Sequence, residues 1–230
     1  MENMDALQYW EAAAAEYRRV QQGSDFSAQN RALVEQRFEK IAGKRVLDAG
    51  CGYGQYTGWF AQQGAQVTGC DGAAEMIRLA QSDYPTCRFD LVNLTKTLPY
   101  PSGSFDLVFC NQVLMDLPEI EGVLTEFARV LNANGRLWFS IVHPAFYIGD
   151  WVVGADGRKR AKEISGYLTP HTQTGNFWGK SIHYHRPISF YLNLAARCGF
   201  SLVELTEPSS YNPKENGADL PLFLCAEFSR

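Results

Sequence analysis

Nine residues near the start of the chain constrain its fold more than any other stretch. In residues 46–54 an apolar pair is followed by Asp48, and three glycines then alternate with other residues. The glycines are Gly50, Gly52 and Gly54. Glycine lacks a Cβ and tolerates positive φ, so such a loop lets bare backbone approach a ligand. The segment predicts a β-strand ending in a tight turn, which either cradles a ligand or only joins the strand to a helix.

The spacing of these glycines differs from the dinucleotide-binding fingerprint. That fingerprint would place its third glycine at position 55, which is Gln55 in this chain. A pyrophosphate favours backbone amides at a helix N-terminus with no carboxylate nearby. Asp48 beside the glycines would repel a pyrophosphate, whereas it suits a ligand that carries positive charge. The loop therefore favours a cationic ligand over a dinucleotide.

The next predicted strand also ends in an acidic residue. Residues 65–71 are typical of a strand that finishes at Asp71. In doubly wound sheets an acid at this place accepts hydrogen bonds from ribose hydroxyls. The alternative is that Asp71 caps the helix predicted over residues 73–81. Both interpretations stay open on this residue alone.

Three further segments continue the pattern. Residues 88–94 read as a third strand and its exit, and residues 98–114 contain a buried strand in their second half. Residues 127–137 combine the end of a helix with the turn before a fifth strand. Ligands bind at the carboxyl edge of open α/β sheets, so Asn111 and Gln112 are expected at such a site.

Together these motifs resemble those of the class I, Rossmann-like S-adenosylmethionine (SAM)-dependent methyltransferases, in particular the type 11-like group. The glycine loop resembles motif I, residues 98–108 resemble the LPF-x-x-x-SFD-LV segment, and residues 129–135 resemble the RVLKPGG turn. The resemblance covers about residues 44–142. It implies an α/β fold with a three-layer, doubly wound, seven-stranded sheet that is mostly parallel and has an antiparallel carboxy-terminal strand. Amino-terminal helices and a lid insertion complete the expected architecture.

The resemblance also implies a cofactor site. SAM has no phosphate and carries an ammonium group, a carboxylate and a sulfonium, which agrees with an acid beside the glycines. Members of the family usually have an Asp or Asn after the third strand, whose side chain or neighbouring amide contacts the adenine amino group. Asn93 occupies this position, whereas Asp90 precedes it in the sequence. The implied cofactor-binding residues are Asp48, Ala49, Gly50, Cys51, Gly52, Gly54, Tyr56, Asp71, Gly72, Met76, Asn93, Leu94, Asn111 and Gln112.

Length, charge and cysteine usage narrow the class further. The 230 residues suit a single domain with a sizeable core. A formal net charge of -4 gives no overall electrostatic footprint for nucleic acid. The six cysteines form no C-x-x-C pair and no zinc spacing, and neither a signal peptide nor a membrane-spanning run is visible. We expect a cytoplasmic monomer or homodimer with reduced cysteines and no nucleic-acid or membrane partner.

The chain divides into four predicted parts within one domain. An amino-terminal helical cap covers residues 1–42, and the cofactor-binding core covers residues 43–142. Residues 143–188 form an insertion rich in glycine and aromatic residues, and an insertion of this length is uncommon unless it has a function. We expect it to be a lid or hairpin over the acceptor pocket. Residues 189–230 would supply a helix capped by Ser189 and two antiparallel strands.

Methyl transfer needs chiefly proximity and a dry pocket, and a general base only when the acceptor must lose a proton. His143 stands at the end of the predicted fifth strand and is our candidate base, although it could instead anchor the turn at Pro144. The tyrosines Tyr17 and Tyr184 are the other catalytic candidates. His183 and His185 share a face if their segment is extended, but no third ligand accompanies them, so we expect no metal.

The sequence thus predicts a SAM-dependent methyltransferase that acts on a nitrogen or oxygen of a small molecule. Two alternatives remain open at this stage. A relative of the same fold could use SAM for intramolecular cyclisation or aminocarboxypropyl transfer, with the same cofactor motifs. A non-catalytic binding protein on this scaffold would usually lose the loop glycines or the ribose acid, and both are present here.

Overall fold

The computed structural model describes residues 6–147, 149–176, 179–208 and 220–230. Six α-helices and eleven β-strands are found in these ranges. The helices are α1 (Ala6–Gln21), α2 (Asp25–Arg37), α3 (Gln55–Gln62), α4 (Ala74–Asp83), α5 (Glu121–Val130) and α6 (Ile188–Arg197). The strands are β1 (Arg45–Ala49), β2 (Gln66–Asp71), β3 (Arg88–Leu91), β4 (Phe105–Asn111), β5 (Leu131–Val142), β6 (Asp150–Val153), β7 (Lys159–Glu163), β8 (His171–Asn176), β9 (Lys180–His185), β10 (Ser201–Thr206) and β11 (Phe223–Ser229).

Seven of the strands form one twisted sheet in the order β10-β11-β5-β4-β1-β2-β3. Strands β3, β2, β1, β4 and β5 run parallel to one another, while β11 runs antiparallel to both β5 and β10. Strands β2 and β3 follow β1 on one side of the sheet, and β5 follows β4 on the other side. The order therefore reverses between β1 and β4, and such a switch point leaves a crevice at the carboxyl ends of the two strands. The predicted fold is confirmed.

Alternating residues of the central strands build the two cores on either face of the sheet. Val46 and Phe109 point to the side covered by α2 and α3, where the Phe109 and Trp138 rings stack at 4.9 Å. Leu47 and Val108 point to the opposite side, which α5 and α6 cover. Successive side chains of a strand point to opposite faces of the sheet, and both faces are buried here. The central strands are therefore continuous apolar runs in the sequence. Three layers result.

The insertion after β5 consists of two antiparallel hairpins, β6–β7 and β8–β9. Strand β9 packs against α1 and against a 3-10 turn at Leu114–Asp116, so the second hairpin lies beside the crevice. Among the described helices, none has the length and apolar character that a bilayer crossing requires.

One local prediction is wrong. Helix α6 begins at Ile188 with Pro187 as its N-cap residue, and Ser189 lies inside the helix, so no side-chain cap forms there. Proline fixes φ near the value that a helix entry needs, which places the start of the helix two residues earlier than the serine indicated.

Candidate active site

The glycine loop after β1 closes the floor of the crevice. Gly50 has a φ of +78°, and a Cβ on it would lie 2.4 Å from a methyl carbon of Val113, so no side chain fits. Gly52 has a φ of +53°, and a Cβ on it would lie 3.9 Å from the Met76 sulfur, an ordinary van der Waals contact. Gly54 differs, because a Cβ there would lie 2.8 Å from the Phe89 ring. Its role is close packing between α3 and the sheet.

Asp71 connects β2 to the same loop. One of its carboxylate oxygens accepts a hydrogen bond from the Gly52 amide at 3.0 Å, and the other accepts from the Ala73 amide at 2.9 Å. Ala73 itself is the N-cap residue of α4, so Asp71 lies two residues before the cap rather than at it. Burial raises the pKa of Asp71, although these amides partly oppose the shift. Each oxygen keeps a lone pair for a further donor.

Asp48 lies beneath the loop and is almost fully buried. The Thr57 hydroxyl donates to its Oδ2 at 2.6 Å. Burial raises the pKa of Asp48 to about 7, while the bond from Thr57 acts in the opposite direction. A cation bound nearby would favour the ionised form of this carboxyl.

Two connected cavities occupy the crevice, with volumes of about 190 Å³ and about 870 Å³. The smaller one lies against β2 and α4, and the larger one extends from the glycine loop to the lid. The residues that border both cavities are Trp10, Tyr17, Gly50, Gly52, Asn111, Gln112 and Asp116. The cavities are therefore two compartments of a single cleft.

The predicted cofactor-binding residues divide between these compartments. Those that border the smaller cavity are Gly50, Gly52, Asp71, Gly72, Met76, Asn93, Leu94, Asn111 and Gln112. Asp48, Cys51 and Tyr56 border the larger cavity only. Ala49 and Gly54 border neither, because Ala49 is fully buried in β1 and Gly54 packs against Phe89. Twelve of the fourteen residues thus lie on the cleft.

A polar network at the end of β4 holds Asn111 and Gln112 at the junction of the compartments. The Ser140 hydroxyl donates to the side-chain oxygen Oδ1 of Asn111 at 2.5 Å. It accepts from the side-chain nitrogen Nε2 of Gln112 at 3.0 Å. Gln112 has a φ of +58°, a conformation that costs energy in residues with a side chain. Its Oε1 is buried without a hydrogen-bond partner in the described part of the chain. Because buried polar atoms are normally hydrogen-bonded, this oxygen is suited to accept a hydrogen bond from a bound ligand.

The lining of the smaller cavity indicates what it holds. Of the described residues that border it, none is a lysine, arginine or histidine, and two are the aspartates Asp71 and Asp116. A phosphate would find no cationic partner there. A nucleoside fits, because its diol can donate to Asp71, and so does an ammonium or sulfonium group, which the carboxylates and the Gln112 oxygen would stabilise.

His143 is buried outside both cavities. Its Nε2 lies 2.8 Å from a Glu207 carboxylate oxygen, and its Nδ1 accepts from the amides of Ala145 and Phe146 at 3.2 and 3.3 Å. Burial lowers the pKa of His143, and Glu207 partly offsets this effect. Both ring nitrogens are engaged in holding the turn after β5. This geometry favours the anchoring interpretation over the base.

The two candidate tyrosines do border the cleft. Tyr17 touches both compartments, and its ring packs edge-on against Trp10 at 5.1 Å. Burial raises the pKa of Tyr17, which opposes its ionisation. Tyr184 borders the smaller cavity, with the Arg186 guanidinium 5.6 Å from its ring centroid.

The sequence alone did not predict that Asp116 and His183 lie together in the cleft. Asp116 is buried in the 3-10 turn after β4, and its Oδ1 lies 3.4 Å from Nε2 of His183 in β9. His183 borders the larger cavity and stacks on Tyr147 at 5.5 Å. The extended pair His183 and His185 does share one face, but His185 bonds the Tyr167 carbonyl at 2.8 Å and borders neither cavity. No signal in the sequence pairs Asp116 with His183.

The first hairpin of the insertion contributes one aromatic and one basic residue to the larger cavity. Trp151 of β6 and Lys162 of β7 both border it, and the Lys162 ammonium lies 4.8 Å from the centre of the Trp151 ring. The same ammonium donates to the Gly149 carbonyl at 2.8 Å. No cluster of three or more potential metal ligands occurs in the described residues.

Comparison with known proteins assigns the class. Residues 47–139 match the family described as "Methyltransferase domain", type 11. The methyltransferase GfsG of Streptomyces halstedii is 30% identical over 202 residues, which cover 83% of this chain and 66% of GfsG. The ubiquinone biosynthesis O-methyltransferase of Albidiferax ferrireducens is 32% identical over 108 residues, 45% of this chain and 43% of that protein. The chain thus spans less than two thirds of the length of these relatives.

A solved structure agrees over nearly the whole chain. The SAM-dependent methyltransferase from Mesorhizobium loti superimposes with a TM-score of 0.76 at 25% identity, over 92% of this chain and all of that one. The reversed sheet order and the glycine loop define a Rossmann-like protein with a nucleoside-binding crevice. Within that class, the chain belongs to the class I SAM-dependent methyltransferases, whose domain family matches residues 47–139.

Proposed function

We propose that this protein transfers a methyl group from SAM to a nitrogen or oxygen atom of a small molecule bound beneath the lid. The observation that carries the proposal is the continuity of the two compartments. A small cavity with carboxylates and no basic residue opens directly into a larger, partly aromatic one. A cofactor held in the first would present its reactive end to an acceptor in the second.

The residues of the smaller cavity fit SAM by their chemistry. Asp71 would accept hydrogen bonds from the ribose hydroxyls, and Met76 and Leu94 would contact the adenine. Asn93 has its Oδ1 occupied by the amide and hydroxyl of Thr95, which leaves its NH₂ group for a ligand. Gln112, which borders both compartments, and Asp48, which borders the larger one, would stabilise the ammonium group, so we place the amino-acid end of SAM at the junction. When bound, SAM supplies a methyl group that its positive sulfur has already activated for displacement.

The larger cavity supports a small-molecule acceptor. Its volume lies within the range of about 300–1,000 Å³ that ligand sites usually have. Trp151 offers an aromatic face and Lys162 a cation, so an acceptor with a flat ring and an anionic group would be well matched. Two relatives support an oxygen acceptor, since one is named ubiquinone biosynthesis O-methyltransferase and the other malonyl-[acyl-carrier protein] O-methyltransferase. The net charge of -4 argues against RNA and DNA.

The setting and the assembly are also proposals. The six cysteines are all unpaired, and Cys51, Cys70, Cys110 and Cys225 are buried, which is typical of a reducing compartment such as the cytoplasm. A monomer or a homodimer is expected, and light scattering during size-exclusion chromatography would distinguish the two.

Product analysis tests the reaction. The purified protein would be incubated with SAM labelled at the methyl group and with pools of phenols, hydroxy acids and amines. We expect S-adenosylhomocysteine (SAH) and a labelled small molecule in equal amounts. Methylthioadenosine as the main nucleoside product would instead show cyclisation or aminocarboxypropyl transfer. Labelled RNA or protein, with no labelled small molecule, would contradict the proposed acceptor class.

A further inference from the structure

The contact between Asp116 and His183 joins the cofactor side of the cleft to the lid. Asp116 ends the 3-10 turn at Leu114–Asp116, directly after β4, and borders both cavities. His183 lies in the middle of β9 and borders the larger cavity only. The pair therefore sits where the reactive end of a cofactor and the acceptor would meet.

The surroundings hold both side chains in fixed orientations. The Trp10 indole N–H donates to the Asp116 carboxylate, while Oδ1 of that carboxylate accepts no well-formed hydrogen bond from any described residue. That oxygen lies 3.4 Å from Nε2 of His183. Contacts of this kind are often long before a substrate binds and shorten afterwards. Tyr147 stacks on the imidazole from the lid side and restricts its rotation.

We propose that Asp116 and His183 form the general base that removes the proton from a hydroxyl acceptor. The proposal rests on the proposed function and assigns it an acceptor class, an alcohol or phenol. Asp116 is a positioning residue, which accepts a hydrogen bond from Nε2–H and so leaves the lone pair of the imidazole on Nδ1. His183 is the catalytic residue. No described residue bonds its Nδ1, so this nitrogen is available to the acceptor.

The methyl transfer needs no reactant besides SAM and the hydroxyl acceptor. The acceptor oxygen forms a bond to the methyl carbon, and the bond from that carbon to sulfur breaks with its electron pair remaining on sulfur. The proton of the hydroxyl passes to Nδ1 of His183. The imidazolium is stabilised by Asp116 and later returns the proton to water.

Electrostatics favour one shared proton on the pair. Burial raises the pKa of Asp116 and lowers the pKa of His183, so neither group is readily charged alone. A carboxylate and an imidazolium 3.4 Å apart would stabilise each other's charge. The other ionisable groups that interact with Asp116 are Tyr17, Asp71, Cys110, Tyr147 and Tyr191. Arg186 donates to the carbonyl of Leu117, the neighbour of Asp116. A positive charge bound at the junction would lower the affinity of the pair for its proton.

The other candidates are less suited to this task. His143 borders neither cavity and has both nitrogens engaged. Burial raises the pKa of Tyr17 and so disfavours the phenolate that a base would need. His183 alone combines an available ring nitrogen with a place on the acceptor side.

Proton release on binding tests the proposal without knowledge of the acceptor. SAM is positively charged at sulfur and SAH is not, so titration calorimetry of each in phosphate and in Tris buffers gives the number of protons released. We expect the wild-type protein near neutral pH to release more protons with SAM than with SAH. Asp116→Asn and His183→Gln should each abolish this difference, and His183→Gln, at a residue that borders only the larger cavity, should change SAH affinity no more than a few-fold. His185→Gln, on the same face of the same strand, is the matched control and should behave as wild type.

Nitrogen NMR of the labelled histidines gives an independent measure. The chain has four histidines, so His183→Gln assigns the signal directly. We expect the tautomer protonated at Nε2, with a chemical shift that changes on Asp116→Asn. Equal proton release with SAM and SAH, or a difference that persists in both variants, would overturn the proposal. A protein that binds neither SAM nor SAH would instead contradict the proposed function itself, so the two failures are distinguishable.

Discussion

The Asp71 carboxylate accepts a hydrogen bond from the Gly52 amide at 3.0 Å, which fastens the glycine loop after β1 to the end of β2. One side chain thus fixes the backbone of the loop and still offers lone pairs to a ligand. The two strand ends are neighbours because β1 and β2 pair in parallel, with Asp48 opposite Gly69 and Ala49 opposite Cys70. The position of the ribose acid is therefore a consequence of the sheet register.

Replacement of Asp71 should weaken cofactor binding. In Asp71→Ala the ribose hydroxyls lose charge-assisted hydrogen bonds, which are worth roughly 1–3 kcal/mol, and the loop loses one of its hydrogen bonds to β2. We expect the Kd for SAH, measured by calorimetry, to rise by about 5- to 150-fold at an unchanged circular dichroism spectrum. Asp90→Ala is the matched control, since Asp90 lies near the end of β3 and borders neither cavity. An unchanged Kd in Asp71→Ala would leave Asp71 with a purely structural role.

Removal of the first lid hairpin should separate cofactor binding from turnover. Asp150 pairs with Glu163, so residues 150–163 can be replaced by a two-glycine turn without stretching the chain. Trp151 and Lys162 border only the larger cavity, and we expect SAH affinity within a few-fold of wild type while methyl transfer is lost. Val152→Ala, at an exposed residue next to Trp151 that borders neither cavity, is the control. Loss of SAH binding in a folded variant would assign the hairpin to the cofactor.

Asp48 should make stability depend on pH. Its pKa is raised to about 7 in the folded protein by burial, against about 3.9 in the unfolded chain. Between these values the folded state holds a proton that the unfolded state releases, so the free energy of unfolding falls as pH rises from about 4 to about 7, by an order of a few kcal/mol. Above that range the contribution of Asp48 no longer changes.

Asp48→Asn removes this ionisation and keeps the shape of the side chain. Thermal unfolding measured from pH 5 to pH 8 should show a smaller decline of Tm in the variant than in the wild type. Parallel curves for the two proteins would mean that Asp48 titrates at its ordinary pKa.

His143 should matter for stability more than for turnover. His143→Ala removes the acceptor of two backbone amides and the partner of Glu207, and we expect a loss of about 1–3 kcal/mol in the free energy of unfolding. The SAH affinity should be unchanged, and turnover of an acceptor found by product analysis should fall less than 10-fold. A fall of roughly 100-fold or more, without a change in stability, would restore His143 as the base.

Much of the fold was predictable because its signals are local. The apolar runs of β1, β2 and β4 and the glycine loop lie within short windows, and their order is sufficient for the sheet topology. The start of α6 was missed because a serine near a helix start is a weaker signal than Pro187, whose ring already fixes the backbone. The insertion was predicted as a lid or a hairpin, but its division into two hairpins was not, since their polar sequences carry little alternation.

The catalytic side of the site was harder to predict for a different reason. Asp116 and His183 belong to a short 3-10 turn and to a lid strand, and only the packing of β9 on that turn brings them together. Neither residue belongs to a motif. His143, by contrast, has the expected place at the end of β5, but its side chain turns away from the cleft toward Glu207. Position along a strand indicates the edge of the sheet and not the direction of a side chain.

A crystal structure with SAH bound tests the central claim most directly, because it locates both compartments at once. The account predicts the ribose on Asp71, the adenine between Met76 and Leu94, and the sulfur at the junction beside Gln112 and Asp116. The space bounded by the lid and His183 would remain open for the acceptor. Density for SAH in that space, or a ribose remote from Asp71, would contradict the division of the cleft into a cofactor and an acceptor compartment.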